Sequence, residues 1–387
     1  MNTFKLRKVF DRIMMVIGVI TIVIAAILGL RKESDRLEHQ IDSLVPVDAQ
    51  YQVIDENTFL CTRGEDIGNV TGYITIETTD GYSGPLEVAV FVDTSGNVLD
   101  LEVVSHKETP TYFRKVMKMQ FLRNLIGKSY SDPFVAGDDF DAISGATYTS
   151  AGIANAVRTG TQKIAASQLD LPVIEPVPVK IRFGIPEITL IVLYLLVLVG
   201  LQAKKRIKKV IRWTTMIIGL VILGFWFSVP LSFGKVNLFL LGYWPQWQTN
   251  LYWYILIFSV FGLIMINGKK WYCNWFCPFL TIQECFALIG GGKVRIPRKM
   301  QYGFAMFQRI LAWLAIVLAF YYRTPSQLNF EVFGAFFNLT GSVFLFVLLA
   351  LFLLASLFIK RPYCHILCPV NVLNDMILEL RKVISGK

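Results

Sequence analysis

Asp141-Ala142-Ile143-Ser144-Gly145-Ala146-Thr147-Tyr148-Thr149-Ser150 is the stretch on which the reading of this 387-residue chain turns. An acidic loop, Gly137-Asp138-Asp139, runs into it. A helix is expected beyond it, from Thr149 to about Gln168, with small and apolar residues interleaved. Small residues before a helix start let the backbone come close to a bound group. The helix start offers free N–H groups and a positive dipole end, which suits a phosphate. Thr147 would present a hydroxyl at that point. A surface loop with Ser and Thr caps has the same composition, so these residues alone leave both readings open.

Outside this stretch the chain is too apolar for an ordinary soluble protein, at 54% hydrophobic residues and a mean hydropathy of +0.51. The net charge of +10 is unevenly placed: residues 31–182 carry 14 Lys and Arg against 22 Asp and Glu, so the remainder carries 24 against 6. That basic surplus sits in short loops beside apolar runs, which is a membrane-topology pattern and argues against nucleic-acid binding. Six cysteines in an uneven spacing do not form a disulfide framework.

The runs predict six membrane spans. Ile13 to Leu30 is long enough to cross a bilayer core of ~30 Å and reads as an uncleaved anchor with a cytoplasmic N-terminus. Five more are expected at 185–203, 213–233, 251–267, 303–322 and 343–359. The loops 204–212 and 268–300 hold six basic residues each and the tail after Ile359 holds five, against Lys235 and Arg323 in the two intervening loops. The positive-inside rule then puts both termini in the cytoplasm and the segment between the first two spans outside. The domains read as an anchor at 1–32, an extracytoplasmic domain at 33–170, a Pro-marked linker at 171–184, a five-helix membrane domain at 185–359 and a cytoplasmic tail at 360–387. The outer domain is expected to be α+β. It would have a linker helix at 33–50, strands at 51–61, 70–78, 86–93 and 97–105, and a helix from Phe113 to Ile126.

Two segments repeat each other 91 residues apart: Lys269-Lys270-Trp271-Tyr272-Cys273-Asn274-Trp275-Phe276-Cys277-Pro278 and Lys360-Arg361-Pro362-Tyr363-Cys364-His365-Ile366-Leu367-Cys368-Pro369. A spacing of i, i+4 puts both thiols of a pair on one helical face, and Pro after the second Cys suits the first position of a following helix. Cys-x₃-Cys-Pro also ends the bacterial ferredoxin ligand run. One pair cannot supply four ligands, but Cys273, Cys277, Cys364 and Cys368 together could hold an iron–sulfur cluster. A dithiol relay at each pair, or buried structural cysteines, are the competing readings. Cys285 reads as a small apolar residue in a short helix, Cys61 as alone outside the membrane without an evident partner, and His365 as a loop histidine. Arg309, inside the fifth span, either faces a wet cavity, where it could hold a quinone carbonyl, or snorkels to an interface.

Asp141 to Thr147 is similar to the flavinylation motif of FMN-binding domains, as in the NqrC and RnfG subunits of respiratory pumps. Gly81-Tyr82-Ser83-Gly84-Pro85-Leu86 and His106-Lys107-Glu108-Thr109-Pro110 resemble the same domain's Gly-Tyr-x-Gly-Pro and Glu-Thr-Pro signatures. The resemblance implies FMN joined through its phosphate to Thr147, not Thr149, by a flavin transferase. Asp141, Ser144, Gly145, Ala146, Glu108 and Thr109 would be its binding residues. The anchor, the outer domain, the five further spans and the paired cysteine motifs together resemble the NosR/NirI family. Without that family's cytoplasmic ferredoxin domain after the second motif, the sequence looks like the short form, the PceC/CprC-type C proteins of reductive dehalogenase operons.

The fold this implies is a membrane protein of six transmembrane α-helices with an α+β extracytoplasmic FMN-binding domain between helices 1 and 2. The implied function is electron transfer from the menaquinone pool to an extracytoplasmic acceptor, a reductive dehalogenase or its membrane anchor, in organohalide respiration. Quinol oxidation by the chain itself is left open, and no catalytic residue is assigned. The alternative is a redox-sensing regulator or maturation factor of the same system, although no effector domain is visible. A solute transporter is weaker still, because no substrate site shows in the spans.

Overall fold

The structure, a computed structural model, describes residues 16–32, 49–55, 57–63, 70–82, 84–108, 110–135, 139–141, 143, 146–172, 181, 183–294, 296–328 and 330–385. The chain forms two compact units. One comprises 1–178 with 240–245 and 317–327. The other comprises 179–239, 246–316 and 328–387.

The first unit opens with helix α1, residues 16–32. A five-stranded antiparallel meander follows: β1 (Ala49–Asp55), β2 (Thr58–Arg63), β3 (Val70–Asp80), β4 (Pro85–Val92) and β5 (Val98–His106), paired in sequence order. The stretch 51–61, expected as one strand, is a hairpin, because Asn57 N–H donates to the Asp55 carboxylate at 2.9 Å and turns the chain. The β4–β5 turn is tied by Asp93, whose carboxylate accepts from Ser95 N and Asn97 N at 2.8 Å each. Gly96 there takes φ +85°, a conformation that favours glycine.

Helix α2 spans Pro110–Lys118 and is followed by a 3₁₀ turn at Phe121–Asn124. The expected single helix, Phe113 to Ile126, breaks at Gln120, whose φ is +52°. Phe121 and Leu125 stay in the core across the break, which is why their apolar spacing read as continuous. Helix α3, Thr147–Gln168, lies on β3 and β4. Its interior residues Ile153, Ala154, Val157 and Ile164 pack with Leu86, Val88 and Val90 of β4. Small residues allow the approach: a Cβ on Gly152 would sit 2.7 Å from the Asp80 carbonyl oxygen. The linker helix expected at 33–50 lies outside the described residues, apart from 49 and 50, which begin β1.

The second unit holds α4 (Ile185–Gln202) and α5 (Lys205–Ile218), which continues as a π-helical segment to Trp226. The stretch 204–212, expected as a loop, is helical from Lys205, so its basic residues occupy the first turns of α5. Next come α6 (Phe233–Leu240), α7 (Leu251–Asn267), α8 (Trp271–Trp275), α9 (Pro278–Gly290) and α10 (Arg298–Tyr322), whose last turns belong to the first unit. The chain finishes with α11 (Phe333–Phe337), α12 (Val343–Phe358), α13 (Pro362–Ile366) and α14 (Pro369–Ile384).

Among the described residues three helices, or four counting one bent pair, are long and apolar enough to cross a membrane; the first of the six expected spans, 13–30, begins outside the described residues. Ile185–Gln202, Lys205–Trp226 and Met300–Tyr322 each suffice, and Leu251–Asn267 with Trp271–Gly290 makes a fourth that bends by 98°. Helix α12 is apolar but has 16 residues, which at ~1.5 Å per residue falls short of a ~30 Å core. The chain is a membrane protein. The bend after α7 is made by Gly268 (φ +63°), where Arg381 caps the helix end by donating to Met265 O at 2.9 Å.

Candidate functional site

Two sites emerge, one in each unit. In the first, the start of α3 is the organising feature. Ala146 is its N-cap and supplies no side-chain cap, so among the described residues no side chain is seen to claim the free N–H groups of the first turn. The approach to the helix is pinned at its base: Ala146 N donates to Ile143 O at 2.8 Å, and Ile143 N donates to Ser150 Oγ at 3.3 Å. Thr147 is the first helical residue. Its side chain, Ser144, Gly145 and Thr109 lie outside what is described, while Asp141 is exposed just ahead of the turn. Thr149 is fully buried, and among the described residues its hydroxyl has no hydrogen-bond partner. An attachment at Thr149 would therefore require the helix to lift off the sheet.

Glu108 lies beneath the glycine turn that joins β3 to β4. It is almost fully buried, and its carboxylate accepts from Tyr82 N–H. Gly81 N donates to Gly84 O at 2.9 Å, closing the turn. A Cβ on Gly81 would collide with Glu108 Oε1, so only glycine fits above this carboxylate. The Tyr82 and Tyr148 rings, centroids 6.1 Å apart, stand beside the helix start, and Tyr148 is half exposed. Sequence reasoning did not single out Tyr148. Its position next to Thr147 was the available signal.

The residues present fit a flavin phosphate: a helix start with no cap among the described residues, a glycine turn where a Cβ would clash, and an exposed aromatic ring beside both. Cys61, by contrast, is packed in a separate apolar cluster with Phe59 and Ile74. Burial pushes its thiol up to about 11, which fits a structural role.

The second site is built twice. In each copy the first cysteine sits in a five-residue helix, Cys273 in α8 and Cys364 in α13. The second cysteine is the N-cap of a Pro-initiated helix, Cys277 for α9 and Cys368 for α14. The backbone follows the same course in both. Cys277 N donates to Tyr272 O, and Cys368 N donates to Tyr363 O, at 3.0 Å each. The four thiols are all free and come within electrostatic reach of one another across the repeats.

The surroundings repeat too. Gln283, six residues past Cys277, donates from Nε2 to Cys364 Sγ at 3.3 Å. Asn374, six residues past Cys368, donates from Nδ2 to Cys273 Sγ at 3.2 Å. Lys270 pairs with Asp375 at 2.6 Å, and Arg361 pairs with Glu284 through Nε at 2.8 Å. Each of these contacts joins one copy to the other. Arg212 adds a further guanidinium on Glu284 at 2.6 Å.

Of the residues around the thiols, Gln283, Glu284, Asn374 and Asp375 were not singled out by sequence reasoning, yet the signal was present. The 91-residue repeat continues past the proline, matching Gln283 with Asn374 and Glu284 with Asp375. Arg309 forms an exposed ion pair with Glu379 at 2.7 Å, and its neighbour Gln308 is the buried group, donating to Cys364 O at 3.0 Å.

Among the described residues, no three His, Cys, Asp or Glu side chains are placed around a single ion. Four thiolates on one zinc would stand only about 3.8 Å apart, given a Zn–S bond of about 2.3 Å. A donor set of four soft thiols flanked by cations suits an iron–sulfur cluster.

Comparison with known proteins agrees with both sites. Residues 81–162 match the FMN-binding domain family, and residues 249–297 and 342–387 match the 4Fe-4S binding domain family. The chain is similar to the protein NirI of Paracoccus denitrificans, at 29% identity over 210 residues, 48% of this chain and 30% of that protein. It is similar to the RnfG-type component of the ion-translocating oxidoreductase complex of Pseudomonas aeruginosa, at 34% over 98 residues, 23% of this chain and 46% of that component. The corresponding Escherichia coli protein is 28% identical over 156 residues, 34% of this chain and 76% of that protein. The chain thus spans less than half the length of NirI and of the Pseudomonas component.

Proposed function

We infer that this chain, a NosR/NirI-like FMN-binding protein, is a membrane electron-transfer flavoprotein that passes electrons from menaquinol to an extracytoplasmic acceptor, a reductive dehalogenase or its membrane anchor. The observation that carries the reading is the presence in one chain of an FMN-binding domain and a four-thiol 4Fe-4S domain on apolar helices. FMN and the cluster, when bound, supply one-electron carriers, and the protein's part is to hold them and tune their charge.

In the flavin domain, the first-turn N–H groups of α3 favour a phosphate, and Thr147 is the attachment point. Glu108 holds the turn at Gly81 and Tyr82 in place. In the membrane unit, the four thiolates are the ligands. Lys270, Arg361 and Arg212 set three positive charges in the layer around them, each paired to a carboxylate. A buried anionic centre is costly unless opposite charge lies close by. Orientation follows the basic loops, with the cysteine motifs on the cytoplasmic side and the flavin domain outside.

Reporter fusions test that orientation. Those after residues 100, 240 and 330 should report outside, and those after 208, 285 and 387 inside. A flavin domain found inside would remove the external acceptor from the proposal. For the acceptor itself, purified protein with flavin and cluster reduced should be reoxidised by a reductive dehalogenase preparation in stopped-flow absorbance. Reoxidation no faster than by buffer would rule that partner out.

A further inference from the structure

We propose that Gln283 and Asn374 are positioning residues that set the reduction potential of the cluster, each side-chain amide acting on the first cysteine of the opposite repeat. This rests on the cluster reading above and extends it to residues that no likeness assigns.

Cys277 and Cys368 occupy the N-cap positions of α9 and α14. Cys273 and Cys364 lie one turn earlier, in the short helices, and receive side-chain amides from across the repeat, Asn374 on Cys273 and Gln283 on Cys364. Each amide therefore comes from the repeat opposite to its sulfur.

The amide orientation of Gln283 is fixed by its other end. Tyr363 N donates to Gln283 Oε1 at 2.9 Å, so Nε2 must face the sulfur. Both amides are fully buried, so water does not compete for the sulfurs. Bracing the two repeats does not explain them, because the Lys270–Asp375 and Arg361–Glu284 pairs already do that one residue further along each helix. What the amides add is a partial positive charge at two of the four ligands. Uptake of an electron adds negative charge to the centre and its sulfurs, and hydrogen bonds to the sulfurs stabilise that state. Loss of either donor should make the centre harder to reduce.

The test is a redox titration of anaerobically purified full-length protein, followed by electron paramagnetic resonance, with iron and acid-labile sulfide measured on the same samples. Gln283→Leu and Asn374→Leu keep approximate shape and remove the donor. Each should keep its iron and shift the midpoint to more negative potential, with the double variant shifted furthest. An unchanged midpoint with full iron would overturn the proposal.

Should the variants shed iron, the wild-type protein decides. Grown with ¹⁵N in the side-chain amides of Gln and Asn, it should show hyperfine coupling to those nitrogens in electron–nuclear double resonance. Absence of that coupling overturns the proposal while leaving the cluster intact. Wild-type protein without iron defeats the cluster reading itself, and this proposal with it.

Discussion

The flavin domain and the cysteine centre solve the same problem, holding a charged redox group, by opposite means. The flavin site is built once, from a loop, a glycine turn and one helix start, and its proposed bond is to a single residue. The cysteine centre is built twice, with each half supplying ligands, amide donors and ion-pair partners to the other. A site made once depends on individual positions that nothing else replaces. A site made twice distributes its demands, but it cannot lose one half without losing the whole. The two should therefore fail differently under mutation.

The largest effect is expected at the cysteines. Any one of Cys273→Ala, Cys277→Ala, Cys364→Ala or Cys368→Ala should strip most of the iron, measured per chain with acid-labile sulfide. Cys285→Ala should not. If each pair kept its own properties when the other was mutated, the centre would be two separate dithiols. At the flavin site, co-expression with a flavin transferase should give in-gel fluorescence that survives denaturation. Thr147→Ala should abolish it. Thr149→Val should leave it, with stability unchanged or raised by about 1 kcal/mol, because a buried hydroxyl without a partner is removed. Fluorescence that followed Thr149 instead would shift the attachment by half a helical turn and contradict its burial.

Smaller effects probe the supports. Gly81→Ala forces a methyl onto the Glu108 carboxylate. It should lower flavin loading and cost the domain about 1–3 kcal/mol, as overpacking does, read by thermal unfolding. For the duplicated centre, a double-mutant cycle on Arg361→Gln and Glu284→Gln should show coupling of about 0.5–3 kcal/mol, typical of partners in one ion-pair network. Zero coupling would mean the repeats are not braced through that pair.

The smallest effect is at Asp93. Burial tends to raise its carboxyl, but Asn97, Ser95 and Gly96 hydrogen bonds outweigh it and hold the group below its ordinary value. A lowered folded-state value contributes stability above the ordinary carboxylate range of about pH 4, and that stability is lost as pH falls through the folded value. Asp93→Asn should flatten that part of the acid unfolding curve.

What could be read from the sequence differs between the two sites for the same reason. The duplicated centre announced itself, because a matching pattern 91 residues apart is improbable by chance and points to its own candidate ligands. The reading stopped at the prolines, so Gln283, Asn374, Glu284 and Asp375 were passed over although they obey the same offset. In the flavin domain, the motif located the helix start to within two residues, Thr147 rather than Thr149. The β1–β2 hairpin was missed because Asp55 and Asn57 turn the chain within an otherwise strand-like run. Of the expected spans, α12 has 16 residues and the run 251–267 leads into a 98° bend, features that apolar length alone does not reveal.

The account's central claim is that one chain carries both a flavin and a cluster shared between the two cysteine motifs. The most direct test is a redox titration of anaerobically purified protein, co-expressed with a flavin transferase and followed by optical absorption and electron paramagnetic resonance. The account predicts one flavin transition and one iron–sulfur signal per chain, with the iron–sulfur signal lost on mutation of a cysteine in either motif. Protein that carries flavin but no iron or acid-labile sulfide would contradict it.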